Sequence, residues 1–210
     1  LISISNDQRK PLRFANWAGT VHHGVRADLY RYAPNSEGYL AFLGRISPEK
    51  RPDRAIAIAK RVGMPLKIAA KVDAVDRKYF EQENEPLLDH PLIEFIGEIG
   101  DGEKSAFLGG AAALLFPIDW PEPFGLVMIE AMACGTPVIA YACGSVPEVI
   151  EDGSTGFIVS NEDQAVTAVR MLPHLDRAEV RKRFELRFSS VAMARRYLDI
   201  YQGLGQPARQ

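Results

Sequence analysis

The chain has 210 residues, 47% of them hydrophobic and 25% charged, with a formal net charge of −2. That length suits one sizeable domain with appendages, and the composition is that of ordinary soluble globular proteins. The small net charge excludes a strong electrostatic pull toward nucleic acid or anionic membrane, and no apolar run approaches the roughly 20 residues that span a bilayer.

Residues 1–5 read as a strand that opens without an initiator Met or a secretory signal pattern, which implies a piece of a longer protein. Residues 6–17 read as a polar loop, and 18–21 as a short apolar segment leading to His22 and His23. Adjacent residues in an extended backbone point to opposite faces. No acidic or cysteine cluster accompanies this pair, so it reads as a hinge or interface loop rather than a metal site. Residues 26–32 suggest a helical turn.

From Gly38 a regular alternation begins. Strands are expected at 39–43, 66–70, 92–96, 111–116, 138–141 and 156–159, each a short apolar run bounded by turn residues. Helices are expected at 52–62, 76–88, 101–110, from 124 or 125 to a stop at Gly135, and at 146–150 and 161–172. Asn161 is a natural N-cap and Pro173 a natural break. Two charged amphipathic helices follow at 176–188 and 190–203. The two cysteines, Cys134 and Cys143, form no Cys-x-x-Cys pattern and read as buried reduced thiols.

The alternation predicts an α/β fold, a doubly wound parallel sheet of about six strands with helices on both faces. Ligands of such sheets bind beyond the carboxyl ends of the strands. Three loops fall there: Gly44-Arg45, residues 97–100 and residues 122–126.

The last of these organises the chain. Trp120-Pro121-Glu122-Pro123-Phe124-Gly125-Leu126 leaves a strand and enters a helix, which leaves the N–H groups of Phe124, Gly125 and Leu126 without carbonyl partners. Those groups and the helix dipole attract an anion such as a diphosphate, and Gly125 allows a close approach to the backbone. Glu122 and Glu130 flank this position. A carboxylate does not bind an anion, but it accepts from hydroxyls. Diphosphate plus hydroxyls describes a nucleotide-sugar. The first loop, Phe42-Leu43-Gly44-Arg45-Ile46-Ser47-Pro48-Glu49-Lys50, supplies Arg45 and Lys50, whose charges suit phosphate oxygens. Alone it is equally a solvated strand-end loop. Neither Gly-x-Gly-x-x-Gly nor Gly-x-x-x-x-Gly-Lys-Ser/Thr occurs, which argues against a dehydrogenase or a P-loop enzyme.

Glu122-Pro123-Phe124-Gly125 followed by Glu130 resembles the Glu-(seven residues)-Glu motif of the family 4 retaining glycosyltransferases, also called glycosyl transferases group 1, of the GT-B fold. The continuation through Ala131-Met132-Ala133-Cys134-Gly135-Thr136-Pro137 matches as well. The resemblance covers about residues 36–200 and implies the C-terminal, donor-binding half of a two-domain enzyme. By it, Arg45 and Lys50 hold donor phosphates, with Gly44 at the same strand end. Glu130 binds the nucleotide ribose. Glu122, with the Phe124 and Gly125 backbone and Leu126 beside it, holds sugar hydroxyls near the reacting carbon. Ile99 frames the base, although a plain strand-to-helix turn explains residues 97–100 as well. Residues 144–150 resemble a further family segment, and local packing and capping are the preferred reading of them. One departure is visible: Arg51 stands where the family usually has Gly, so a loop that needs that Gly would have to turn differently here.

The resemblance implies residues 1–35 as a linker from the acceptor-domain side, 36–188 as the Rossmann-like donor domain, and 189–210 as a cross-over helix and tail. It implies transfer of a sugar from a nucleoside-diphosphate sugar to a hydroxyl with retention, without metal or other cofactor, since no Asp-x-Asp metal motif is present. The partners implied are the donor and an N-terminal acceptor domain. The location implied is cytoplasmic, at the inner face of the membrane if the other half makes that contact. Two other readings stand beside this one. A non-catalytic nucleotide-sugar binding module would carry the same half-site. An epimerase or phosphorylase would share the architecture, though the first lacks the two-glutamate pattern and the second needs a cofactor lysine.

Overall fold

The computed structural model describes residues 1–204. Strands β1 (Ile2–Ser3) and β2 (Gly19–Thr20) form a small parallel pair of their own. Strands β3 (Tyr39–Arg45), β4 (Leu66–Lys71), β5 (Ile93–Gly97), β6 (Ala111–Phe116), β7 (Val138–Tyr141) and β8 (Gly156–Val159) form one parallel sheet in the order β5-β4-β3-β6-β7-β8. The doubly wound sheet of six strands expected from the alternation is therefore present.

Both faces of the strands are apolar because both are covered. Leu40 and Phe42 of β3 face α1 (Pro52–Val62) and the later helix α7 (Glu162–Met171), while Tyr39 and Ala41 face the opposite layer. That second layer holds Phe107 and Leu108 of α4 (Asp101–Gly110), Met128 and Met132 of α5 (Leu126–Ala133), and Phe184 and Phe188 of α8 (Arg177–Phe188). Full burial of each such side chain contributes about 1.5–3 kcal/mol. Arg177 ties the layer to the strand ends, donating to the carbonyls of Ala33, Gly109 and Ala111 and to the Thr136 hydroxyl, each at 2.8 Å.

Several local expectations are corrected. Residues 6–17 are not merely loop, since Asp7–Leu12 form a 3-10 helix. The turn expected at 26–32 shrinks to a 3-10 turn at Ala27–Leu29. The helix expected over 76–88 is broken into α2 (Arg77–Tyr79), a π turn at Phe80–Asn84, and α3 (Glu85–Leu88). Pro86 gives the reason: it has no N–H to donate and its ring clashes with the carbonyl four residues back, so the preceding turn widens. Helix α5 ends as expected: its last residue is Ala133 and its C-cap Cys134, so Gly135 stands at C′ with a left-handed φ of 80°. Helix α6 (Val146–Val149) is a single turn, and Asn161 caps α7 by accepting from the Gln164 N–H at 2.9 Å. Helix α9 (Ser190–Leu204) closes the described chain; the rest of the tail lies outside the described residues.

His22 and His23 do not separate to opposite environments. Both rings lie against Phe124, with centroids 5.9 and 5.2 Å away. The cysteines are free, Cys134 buried and Cys143 only half-buried. Burial pushes the Cys134 thiol up to about 11.

Candidate functional site

The order of the strands reverses between β3 and β6, and beside that reversal their carboxyl ends border a cleft of about 530 Å³. Leu43 and Gly44 come from the end of β3, Ala70 and Lys71 from the end of β4, and Ile99 from the turn after β5. Lys104 of α4 and Leu126, Val127 and Glu130 of α5 complete the wall.

Helix α5 begins at Leu126 because Gly125 takes a φ of 77°. A Cβ there would lie 2.9 Å from the Met128 Cε and 3.0 Å from the Phe116 ring, so only glycine fits the corner. Among the described residues no carbonyl accepts from the N–H groups of Phe124, Gly125 or Leu126, and no acidic residue occupies the first turn of α5. The positive end of the helix is thus left for an anion.

Glu130 lies one helical stripe further down. Its Oε1 accepts from the Tyr30 hydroxyl at 2.8 Å and sits 3.7 Å from the Lys104 ammonium. Burial, and then the charge of Glu130, push the Tyr30 phenol well above its ordinary value. Lys104 is raised by its contact with Asp101, against an opposing burial effect and with a further contribution from Glu130.

Glu122 occupies a second cluster. Its Oε2 accepts from the Lys50 ammonium and from the Trp120 indole N–H, the latter at 3.0 Å. The Lys50 ammonium also lies 5.6 and 5.8 Å from the ring centroids of Trp120 and Phe116. The loop that carries Glu122 is pinned from below. Ser145 donates through its hydroxyl to the Phe124 carbonyl at 2.7 Å and through its N–H to the Glu122 carbonyl at 3.0 Å. Gly144, at φ 58°, allows that approach, since a Cβ there would stand 2.4 Å from the Glu122 backbone.

The sequence-derived residues therefore divide. Gly44, Ile99, Leu126 and Glu130 line one cleft, and Lys50 and Glu122 meet each other. Phe124 is buried, so only its backbone can meet a ligand. Arg45 does not line the cleft; its guanidinium donates to Glu49 at 2.8 Å and lies 3.8 Å from Asp73. Arg51 resolves the departure noted above. It takes a left-handed backbone itself, at φ 52°, a conformation that glycine adopts without strain. Its guanidinium is held by Asp53 at 2.7 Å and by Asp119 at 2.9 Å.

Sequence reasoning missed Tyr30, Lys71, Lys104 and the contact made by Trp120. Trp120 could have been noticed beside Glu122. The others carry no local motif, and Tyr30 stands 100 positions from the carboxylate it meets. The segment 144–150 is a fastener for the N-terminal segment. The Glu148 carboxylate accepts from the Asn6 and Asp7 N–H groups at 2.8 Å and lies 3.1 Å from His22. Burial raises the Glu148 carboxyl, but those donors outweigh it and the net shift is downward. Among the described residues no cluster of three or more His, Cys, Asp or Glu could hold a metal. No helix among them is long and apolar enough to cross a membrane.

The family model of glycosyl transferases group 1 matches residues 32–186. D-inositol 3-phosphate glycosyltransferase of Mycobacterium tuberculosis is 33% identical over 167 residues, which is 68% of this chain and 33% of that protein. The chain thus corresponds to about a third of the length of such relatives. Among solved structures, AviGT4, a glycosyltransferase involved in avilamycin A biosynthesis, superposes with a TM-score of 0.83 at 28% identity, over 97% of this chain and 62% of that one. Sucrose-phosphate synthase of Thermosynechococcus elongatus superposes at 0.81 with 24% identity, over 97% and 57%. HepE of Anabaena, in complex with UDP and glucose, gives 0.79 at 18% identity over 96% and 62%, a likeness of fold.

Proposed function

The chain belongs to the glycosyl transferases group 1 family, and from that premise we propose that it is the donor-binding part of a retaining family 4 enzyme. The enzyme would move a sugar from a nucleoside-diphosphate sugar to an acceptor hydroxyl. The observation that carries this reading is the cleft beside the sheet reversal. It combines a helix N-terminus with unpartnered N–H groups, a lysine-flanked wall, and a carboxylate, Glu130, that can accept from hydroxyls. HepE, which shares this fold and is in complex with UDP and glucose, supports a nucleotide-sugar as the partner.

On this reading the diphosphate lies at the start of α5, within reach of a redirected Lys50 and Arg45. Glu130 accepts from the ribose and Glu122 from the sugar. The bond from the anomeric carbon to the leaving phosphate breaks as the acceptor oxygen attacks the same face. The acceptor proton passes to the departing phosphate oxygen. Fixed cationic groups and helix N–H groups stabilise the developing charge without metal. The acceptor would be bound by a part of the enzyme outside this chain, and the reaction would run in the cytoplasm, at the inner face of the membrane only where that other part makes the contact.

Calorimetric titration with UDP, GDP, ADP and their glucose and mannose conjugates, in the presence of a chelator, tests the reading. Binding of one nucleotide, lost in Glu130→Ala and Lys50→Ala, is expected. No binding by the 210-residue chain, or by that chain rejoined to an acceptor domain, would refute it.

A further inference from the structure

The two glutamates share an arrangement that no motif encodes. In each, one carboxylate oxygen accepts from an aromatic donor and faces a lysine, while the other oxygen has no partner. Glu130 Oε1 takes the Tyr30 hydroxyl at 2.8 Å with Lys104 3.7 Å away, and Glu122 Oε2 takes the Trp120 indole N–H at 3.0 Å together with Lys50. Among the described residues no donor reaches Glu130 Oε2 or Glu122 Oε1, and neither atom is sealed from solvent. The two carboxylates are largely shielded, with side chains 12% and 13% exposed.

A carboxylate can turn about its last side-chain bond, and that torsion is broad. A donor locked onto one oxygen removes the freedom and aims the other. Tyr30 is well suited, because the backbone around it is itself fixed. Arg181 donates to the Tyr30 carbonyl at 2.9 Å and Arg177 to that of Ala33 at 2.8 Å. Trp120 is held differently: its indole reaches a residue two positions on and covers the Lys50 ammonium.

We propose that Tyr30 and Trp120 are positioning residues, each orienting one glutamate so that a single open oxygen meets a donor hydroxyl. The assignment rests on the donor-binding reading above. Tyr30 serves the ribose through Glu130, and Trp120 serves the sugar through Glu122. The lysines act as the second anchor until a diphosphate draws Lys50 away.

Three probes separate these roles: UDP, 2′,3′-dideoxy-UDP, which lacks both ribose hydroxyls, and UDP-glucose, or their guanine or adenine counterparts if those bind. Titrations use the chain and its Tyr30→Phe and Trp120→Phe variants. Tyr30→Phe is expected to weaken UDP about tenfold and leave 2′,3′-dideoxy-UDP unchanged. Trp120→Phe is expected to leave UDP unchanged and weaken UDP-glucose by a similar factor. A variant that loses affinity equally for all probes, or for none, overturns its assignment. A wild type that binds no probe, either as this chain or rejoined to an acceptor domain, refutes the donor reading instead. A measurement without ligand then decides the Trp120 contact. The indole N–H resonance of Trp120 should move in Glu122→Gln while that of Trp17 stays. An unmoved Trp120 signal overturns the proposal.

Discussion

The pairing of Lys50 with Glu122 links stability to donor binding. Consider Lys50→Met, Glu122→Gln and the double variant. The lysine side chain is 20% exposed and the glutamate 13%, so the pair is mostly shielded from water. Removing one partner of a fully buried pair costs about 3–5 kcal/mol, and of an exposed pair at most about 1 kcal/mol. This pair lies between those limits, so each single variant should lose about 2 kcal/mol. Methionine keeps an apolar stem against the Phe116 and Trp120 rings, and glutamine keeps the shape of Glu122, so the loss is chiefly one of charge pairing. In a chain of this size that is a fall of about 4–8 °C in Tm. The double variant has no unpaired charge and should recover about 1–2 kcal/mol of the summed loss. UDP affinity should behave otherwise. It should fall by about tenfold or more in Lys50→Met, because a charge-assisted contact is lost, and the double variant should not restore it. Thermal unfolding and calorimetric titration of the four proteins provide the assay. Single losses that simply add in the double variant would refute the coupling. Wild-type UDP affinity in the double variant would refute the phosphate role of Lys50.

Three further outcomes are expected. Arg51→Gly should be more stable than Arg51→Ala by about 1 kcal/mol in denaturant unfolding, because both lose the contacts to Asp53 and Asp119 but only alanine keeps the left-handed strain; equal stability would remove strain at position 51. Gly144→Ala should lose about 3 kcal/mol or more of stability, and its nucleotide binding as well, since its Cβ would meet the Glu122 backbone at 2.4 Å. Glu148 is depressed below its ordinary 4.5 in the folded chain, so its contribution is complete above that pH and is lost as pH falls through the folded value. The stability gap between wild type and Glu148→Gln, followed by denaturation from pH 7 to about 3, should therefore close on acidification; a constant gap would contradict the assignment.

The α/β class, the covered parallel sheet, the strand-end loops that carry Gly44 and Ile99, and the helix that carries Glu130 were legible in the sequence. Each depends on local periodicity or turn chemistry, which neighbouring residues express by themselves: apolar runs such as 111–116, or Gly125 at the start of a helix. The break at Pro86 is legible in principle, since a proline inside a helical pattern removes a donor and crowds the preceding turn. Other features depend on contacts between distant parts of the chain, and no local pattern records them. Lys50 meets Glu122 across 72 positions, and Tyr30 reaches Glu130 across 100. His22 and His23 gather at one ring because Phe124 and Phe188 pack there, whatever alternation an extended backbone would impose. Arg51 keeps a glycine's backbone because Asp53 and Asp119 hold its guanidinium. The sequence by itself thus determined which loops stand at the strand ends, since helix and strand periods are short-range. Which charges pair within those loops was decided only by the tertiary structure. Coulombic and hydrogen-bond partners are chosen by proximity in space, which the order of residues does not express.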